Sequence, residues 1–190
     1  MNITEVLDAI QEKHSRLSTE CIYDLVECMT LNTFKKNEVI VKQGQYSKMS
    51  FLILEGAMRV FYLKDDKDVS DLFAFENEFA TSIVSFFSNK PSAHYIQALE
   101  NTTVAEISKE NIDKLCRKHQ DLETFVKNIV IDTTLKQQKR ISSILFYTAE
   151  EKYTHMKDEF KECMDRIPLT HIASFLGMSL ETLSRVRARK

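Results

Sequence analysis

The last two dozen residues, Ile167 to Lys190, constrain the chain most. They read IPLTHIASFLGMSLETLSRVRARK, two short amphipathic segments either side of Gly177. In the first, Leu169, Ile172, Ala173 and Leu176 fall at i, i+3, i+4 and i+7, one face of a helix. Thr170 is placed to cap its start with a side-chain oxygen. Glycine enters the left-handed region cheaply, so Gly177 suits the end of that helix. Ser179 is an N-cap for a second helix, whose Leu183 and Val186 face inward. Its outward face carries Glu181, Thr182, Ser184, Arg185, Arg187 and Arg189. A positioning helix, a tight glycine turn and an exposed second helix make a helix-turn-helix, the second helix being fit for a major groove. A helical hairpin with a solvated basic face satisfies the same pattern, so the choice rests on the upstream chain.

Composition narrows the classes. At 190 residues and 43% hydrophobic content, the chain can form one domain or two small ones around a real core. The formal net charge is −2, yet from Arg166 onward there are five basic residues and one acid, Glu181. A basic patch on a near-neutral body is the electrostatic footprint of a DNA reader. The N-terminal MNITEVLDAIQEKH has acids where a signal peptide needs an apolar run. No stretch reaches the roughly 18 apolar residues of a membrane span, so a cytoplasmic chain without membrane partners is expected. Gly44, Gly56 and Gly177 are too far apart for a phosphate-binding loop or a dinucleotide fingerprint. There is no G-x-S-x-G and no H-E-x-x-H, and Asp65-Asp66 and Glu150-Glu151 sit in polar runs as solvated carboxylates. No enzyme is expected. The cysteines, Cys21, Cys28, Cys116 and Cys163, form no C-x-x-C pair and are expected as reduced, structural thiols. Cys116 and His119 can share a helical face but lack further ligands, so no metal is expected. His14, His94, His155 and His171 are expected at the surface or at caps.

Along the chain, residues 4–14 and 18–29 predict helices, with Thr4 and Ser18 as candidate N-caps and Ile22, Leu25, Val26 and Met29 as one apolar stripe. After Leu31 the period changes to two. Phe34, Val39, Val41, then Phe51, Ile53, and later Met58, Val60 and Tyr62 alternate as in half-buried strands. Turn signals at Lys36-Asn37, Gly44-Gln45, Glu55-Gly56 and residues 64–67 separate them, and Asn37 suits a left-handed position. With further strands over 69–75 and 94–107, about eight short strands imply a closed or two-sheet antiparallel structure. Ser108 opens a short helix to residue 118. From Asp121 to Phe146 there is no glycine, proline or turn cluster, so a long helix is expected. Its apolar residues spread over two faces, which fits one face on the β structure and another on a second copy of itself; burial within one domain is the plainer alternative. Thr148-Ala149-Glu150-Glu151 is a capping box that restarts a helix, expected over 149–165, after a break at Tyr147.

This order of elements resembles the Crp/Fnr superfamily of bacterial transcription regulators, over nearly the whole chain. Ile40-Val41-Lys42-Gln43-Gly44 and Phe51 through Gly56 to Val60 are similar to the paired glycine turns of a cyclic-nucleotide-binding domain. Gln97 to Thr102 resembles that domain's closing strand, and Leu180-Glu181-Thr182-Leu183-Ser184-Arg185 resembles the family's recognition helix. The resemblance implies an α+β fold. Residues 1–118 form an N-terminal antiparallel β-roll (a double-stranded β-helix of cyclic-nucleotide-binding type) with flanking helices. Residues 119–147 form a dimerisation helix that pairs through Leu122, Phe125, Val126, Ile129 and Thr133. Residues 148–190 form an all-α helix-turn-helix domain lacking a long wing. The implied partners are double-stranded DNA, a second copy of the chain, and RNA polymerase.

Departures from the family pattern bear on the effector. In cyclic-AMP-binding members a Gly-Glu pair takes the ribose, and an arginine after a proline takes the cyclic phosphate. Here the first pair aligns with Thr81-Ser82, the arginine with Ser92 after Pro91, and the following small and hydroxyl positions with Ala93 and Tyr95. A buried phosphate without its guanidinium loses a bidentate, charge-assisted contact. Lys90, one residue before the proline, points elsewhere unless the loop shifts. Cyclic AMP is therefore not expected, no cofactor is assigned, and the effector stays open. Phe79, Phe86 and Phe87 either line a pocket for a less charged effector or fill the old cavity and pack it shut, and the second is the expectation.

On DNA, the roles follow from chemistry. Arg185 can fork onto guanine, and Glu181 can accept from a cytosine amino group and orient Arg185. Ser184 can reach a base edge or a phosphate, while Leu180 can touch only a thymine methyl. Thr170, His171, Ser179, Arg187 and Arg189 are placed for phosphates, with Thr182 beside them on the same helix. The alternative is a ligand-sensing or protein-interaction module of the same fold that no longer binds DNA in a sequence-specific way.

Overall fold

Alternation at period two over residues 30–108 builds two sheets. The strands are β1 (Thr30–Phe34), β2 (Val39–Val41), β3 (Met49–Glu55), β4 (Met58–Lys64), β5 (Lys67–Ala74), β6 (Phe79–Thr81), β7 (Tyr95–Ala98) and β8 (Thr102–Ser108). They pair antiparallel in the orders β1-β8-β3-β6 and β2-β7-β4-β5, as a computed structural model that describes residues 3–65 and 67–188. Asp66 and Arg189 lie outside the described residues. Left-handed turns fall at Asn37 (φ 68°), Gly44 (φ 85°) and Gly56 (φ 99°).

Strand β3 shows how the layers form. Phe51 and Ile53 join Phe34, Met58, Val60, Ile96 and Val104 inside the roll. Leu52 and Leu54 face the other way, into a second core with Leu7, Ile10, Leu25, Leu115, Leu122 and Phe125. That second core lies under α1 (Ile3–Lys13), α2 (Thr19–Glu27), α4 (Lys109–Lys118) and the start of α5 (Gln120–Phe146). Ser18 and Ser108 cap their helices as expected, accepting from the backbone amides of Cys21 and Asn111. Thr4 instead lies inside α1. A short helix not foreseen in the sequence, α3 (Ile83–Ser88), carries Phe86 and Phe87.

Helix α2 is tied to the α4–α5 corner by polar groups. Asp121 Oδ2 accepts from the Ser18 amide at 2.6 Å, and His119 Nε2 lies 2.7 Å from Asp24 Oδ2. Cys21, His119 and Asp121 thereby come within 4.8 Å of one another, whereas the sequence suggested Cys116 with His119. Burial, with Asp121 beside it, pushes the Cys21 thiol up to about 12, which keeps it an inert core group.

The 27 residues of α5 divide into two halves. Leu122 and Phe125 are buried in the chain's own core, which corrects their assignment to a contact with a second copy. Val126 and Ile129 pack partly against that core, and Thr133 is half-buried beyond it. Farther on, Ile131, Leu135, Ile141, Leu145 and Phe146 are exposed.

The chain breaks at Tyr147, and Thr148 with Glu151 forms the expected capping box at the start of α6 (Ala149–Phe160). The expected helix to residue 165 stops early. Lys161 turns left-handed (φ 36°), and residues Lys161–Arg166 wind as a 3-10 helix. Helices α7 (Leu169–Phe175) and α8 (Leu180–Ala188) follow. A third core joins this part to the roll: Phe73, Phe75 and Leu99 meet Met156, Ile167, Ile172, Leu176 and Leu183. Arg166 fastens the joint, with a two-pronged grip on Glu76 at 2.7 and 2.8 Å and a further bond to Glu100.

Candidate functional site

The turn between α7 and α8 has the geometry its residues demand. Gly177 is left-handed (φ 64°), and the Met178 amide reaches back to the Ala173 carbonyl at 3.0 Å. Ser179 Oγ accepts from the Thr182 amide at 3.1 Å and so caps α8. Leu183 and Val186 are buried, which turns Glu181, Ser184, Arg185 and Arg187 to solvent. Leu180 is 43% exposed at the entry to the same face. Arg185 Nη2 donates to Thr182 Oγ1 at 3.3 Å, taking Thr182 as its partner where the sequence suggested Glu181.

Two of the expected contacts of α7 fall differently. Pro168 occupies the N-cap position without a side-chain bond, so Thr170 lies exposed in the first turn rather than at the cap. His171 faces the roll, not solvent: its Nδ1 lies 3.0 Å from Arg59 Nη1. Arg59 is itself 4% exposed, forks onto Asp68 at 2.7 Å through both terminal nitrogens, and stacks over Phe61. An arginine has no lone pair to offer, so His171 is the acceptor and is neutral. Burial first, and the Arg59 charge second, hold its pKa below the usual value. Next to it, Ser174 Oγ accepts from the Ser70 amide at 3.0 Å, and Arg140 Nη2 reaches the Ser70 and Phe175 carbonyls at 2.9 and 3.3 Å. Helix α7 is thus seated on β4 and β5 through Arg59, His171, Ser174 and Arg140, while the outer face of α8 is exposed.

The effector region is open, contrary to the expectation that its aromatic residues pack it shut. A cavity of about 290 Å³ lies between the roll, α3 and α5, walled by Phe79, Phe86, Leu72, Val126 and Ile129 among others. Phe87, 48% exposed, stands at its rim. Of the expected pocket residues, Thr81 lines the cavity. Ser82 and Ser92 do not: both are fully buried and bonded to each other, Oγ to Oγ, at 2.7 Å. Ser92 Oγ also donates to the His94 carbonyl at 2.9 Å. Ala93 is half-buried, and Tyr95 stacks on Phe61 with ring centroids 5.0 Å apart. A ribose and a cyclic phosphate need a carboxylate and a guanidinium here; a closed pair of neutral hydroxyls supplies neither. Lys90 is exposed. The residues present do not fit a cyclic nucleotide.

Comparison with known proteins agrees with this architecture. The family described as the cyclic nucleotide-binding domain matches residues 31–119. The transcriptional activator protein Anr of Pseudomonas protegens is 24% identical over 171 residues, which cover 82% of this chain and 68% of Anr. The transcriptional activator protein FnrA of Stutzerimonas stutzeri is 25% identical over 166 residues, with the same coverage. Residues 31–119 thus match the cyclic nucleotide-binding domain, and over most of its length the chain is similar to transcriptional activators of the Crp/Fnr type. Among solved structures, FixK2 from Bradyrhizobium japonicum superposes with a TM-score of 0.76 at 16% identity, covering 85% of this chain and 83% of FixK2. The regulator CLP of Xanthomonas campestris, described as responsive to c-di-GMP, gives 0.72 at 14% identity, covering 90% and 91%.

Several groups at the site were not singled out from sequence. His94 is buried rather than superficial, and Tyr62 Oη lies 2.6 Å from its Nε2. Asp71 Oδ2 is 3.8 Å from the same nitrogen, and Asp71 Oδ1 accepts from Arg140 Nη1 at 3.1 Å. Asp71 is the extra residue of a β-bulge: Val60 pairs with Leu72 and Phe61 with Ser70. No local sequence signal marks a bulge without glycine. Arg140 carried no signal either, since it follows Lys136 and Lys139 in a polar stretch of the long helix. Among the described residues, no helix is long and apolar enough to cross a membrane.

Proposed function

We propose that the chain is a homodimeric DNA-binding transcription regulator that reads a near-palindromic operator through α8, with an effector other than cyclic AMP. One observation carries the reading: the polar face of α8, with Glu181, Ser184, Arg185 and Arg187, is presented to solvent by a buried Leu183–Val186 seam. Arg185 serves as the guanine reader and Arg187 as a phosphate contact. Arg189, the next basic residue in the sequence, lies outside the described residues and is proposed as a further phosphate contact. Thr170 and Ser179, both exposed, serve as further phosphate contacts, Ser179 while it caps the helix. His171 contributes only if α7 leaves β5.

Dimerisation is supported by the apolar residues that α5 leaves uncovered. Val130, Ile131, Leu135, Ile141 and Leu145 add a long exposed stripe beyond Val126, Ile129 and Thr133. A parallel pair of such helices would present two copies of α8 to half-sites one helical turn apart. RNA polymerase is the further partner that a regulator of this type implies. The closed Ser82–Ser92 pair supports the exclusion of cyclic AMP.

The test is binding to a pool of duplexes, followed by salt titration on the selected site. Affinity should fall steeply with salt, and Arg185→Ala should weaken the selected site by roughly 5- to 150-fold, the worth of one bidentate base contact. Absence of binding at low salt, or equal loss on selected and random duplexes, rejects the reading.

A further inference from the structure

The cavity between the roll and α5 is mostly apolar, and its polar corner at His94 is unfinished. His94 lies in the cavity wall and is 7% exposed. Burial holds its pKa below the usual value, against the nearby Asp71 carboxylate, and burial pushes the Tyr62 phenol up. Both groups are therefore neutral at ordinary pH. The Tyr62 hydroxyl then donates to Nε2 across 2.6 Å, and the ring proton resides on Nδ1. Nδ1 is buried and finds no hydrogen-bond partner among the described residues. A native interior rarely leaves such a donor unmet.

Size and charge limit what can meet it. The space is about 290 Å³. An apolar cavity of about 150 Å³ already holds benzene, so two fused rings fit. An anion does not suit the corner. Arg140 is the cation nearby; its charge is already balanced by Asp71, and its Nη2 is taken by the Ser70 and Phe175 carbonyls, although its Nε finds no partner among the described residues. Asp71 itself would repel a second negative charge.

The geometry points to an uncharged effector of about two rings, apolar over most of its surface, with one oxygen that accepts from His94 Nδ1 and so acts on α7 through Asp71 and Arg140. Its regulatory meaning rests on the regulator reading above; its binding does not. The route is short. Asp71 turns one oxygen toward His94 and the other to Arg140, which holds the last carbonyl of α7, and the Arg140 guanidinium sits 4.6 Å from the Phe175 ring. A ligand that pulls on His94 disturbs the carboxylate that keeps Arg140, and hence α7, in place.

Four probes test the class on the full chain by titration calorimetry and thermal shift. Coumarin has two rings, no charge and a carbonyl; indene has the rings alone; 2-naphthoate adds a charge; cyclic AMP is the family comparison. Coumarin should bind about tenfold tighter than indene, the worth of one buried hydrogen bond, and both should outbind the two anions. His94→Phe should bring coumarin down to the affinity of indene and leave indene unchanged. Coumarin should also alter hydrogen exchange in the α7 amides of the unmodified chain. It should not do so in Arg140→Gln or Arg140→Lys, both of which should still bind it; the lysine keeps the charge and loses the fork. Tighter binding of either anion overturns the class, as does coumarin affinity unmoved by His94→Phe. Silence from all four at millimolar concentration overturns it too, and would mean that the partner's α5 fills the cavity in a dimer. An α7 that ignores bound coumarin overturns the route. None of these readouts uses DNA, so failure of the operator experiment is separately visible.

Discussion

Replacing Gly56 by alanine should cost the fold far more than the same change at Gly44 or Gly177. All three glycines are left-handed, with φ of 99°, 85° and 64°. Each alanine therefore carries a backbone cost of about 1–2 kcal/mol. Space separates them. A Cβ at Gly44 or Gly177 would meet nothing within 4 Å. At Gly56 it would stand 2.6 Å from Thr102 Oγ1, 2.7 Å from the Asn101 carbonyl oxygen and 2.8 Å from Thr102 Cα. Two of those atoms are backbone. The third is pinned, because the fully buried Thr102 hydroxyl is 3.1 Å from the Ala57 carbonyl and 2.9 Å from that of Glu100. Forcing a methyl group into such a contact adds about 1–3 kcal/mol. Gly56→Ala should then lose about 2–5 kcal/mol in total, against about 1–2 for the other two. The damage should also reach the joint with the C-terminal helices, since the Gly56 amide donates to Glu76, the carboxylate that Arg166 grips. Urea unfolding at fixed protomer concentration gives the three values side by side. A Gly56→Ala loss no larger than that of Gly44→Ala would refute the packing argument.

Three further outcomes follow from the same structure. His171 is held neutral against Arg59 with a lowered pKa, so the undocked state binds protons more readily. The seat of α7 is then fully stable above about pH 6.5 and weakens as pH falls through that value; faster α7 hydrogen exchange at about pH 5.5, after correction for intrinsic rates, should appear in the parent and vanish in His171→Gln. Thr148→Ala removes the side-chain half of the capping box, the bonds that Thr148 Oγ1 makes to Glu151, and should cost about 1 kcal/mol, read as a lower urea midpoint with an unchanged slope. Leu135→Glu places a charge on the exposed stripe of α5 and should shift the chain to monomers in analytical ultracentrifugation while its circular dichroism stays intact; an unmoved dimer would place the contact elsewhere.

Much of this fold was legible because the signals are local. Ser18, Ser108 and Thr148 cap where their side chains can reach the next turn, and Asn37 and Gly177 take the left-handed positions that their chemistry allows. The glycines were visible as turns, yet nothing in the sequence ranked Gly56 above Gly44, because the ranking comes from Thr102, far along the chain. The misplacements share that cause. Leu122 and Phe125 are apolar at helical spacing whether they face a partner or the core beneath α1 and α2. His171 reads as a phosphate contact until Arg59 arrives from β4. The effector loop was judged by its aromatic content, but its three phenylalanines, Phe79, Phe86 and Phe87, only line a space that α5 completes.

The bulge at Asp71 explains how one strand serves both the cavity and the output helices. A regular ladder gives β4 and β5 equal numbers of residues and sends alternate side chains to opposite faces. With Val60 opposite Leu72 and Phe61 opposite Ser70, β5 has one residue more than β4 over that stretch. The surplus lets Ser70 bond to Ser174 of α7 while its neighbours Asp71 and Leu72 both line the cavity. The charge of Asp71 then matters more than its volume. Asp71→Asn keeps the shape and the strand but removes the ion pair, leaving Arg140 half-buried with a neutral partner. If the carboxylate is what couples the two faces, Asp71→Asn should loosen α7 in hydrogen exchange and leave the amides of β4 and β7 as protected as before. If the bulge acts only as a spacer, the asparagine should be silent at α7 as well.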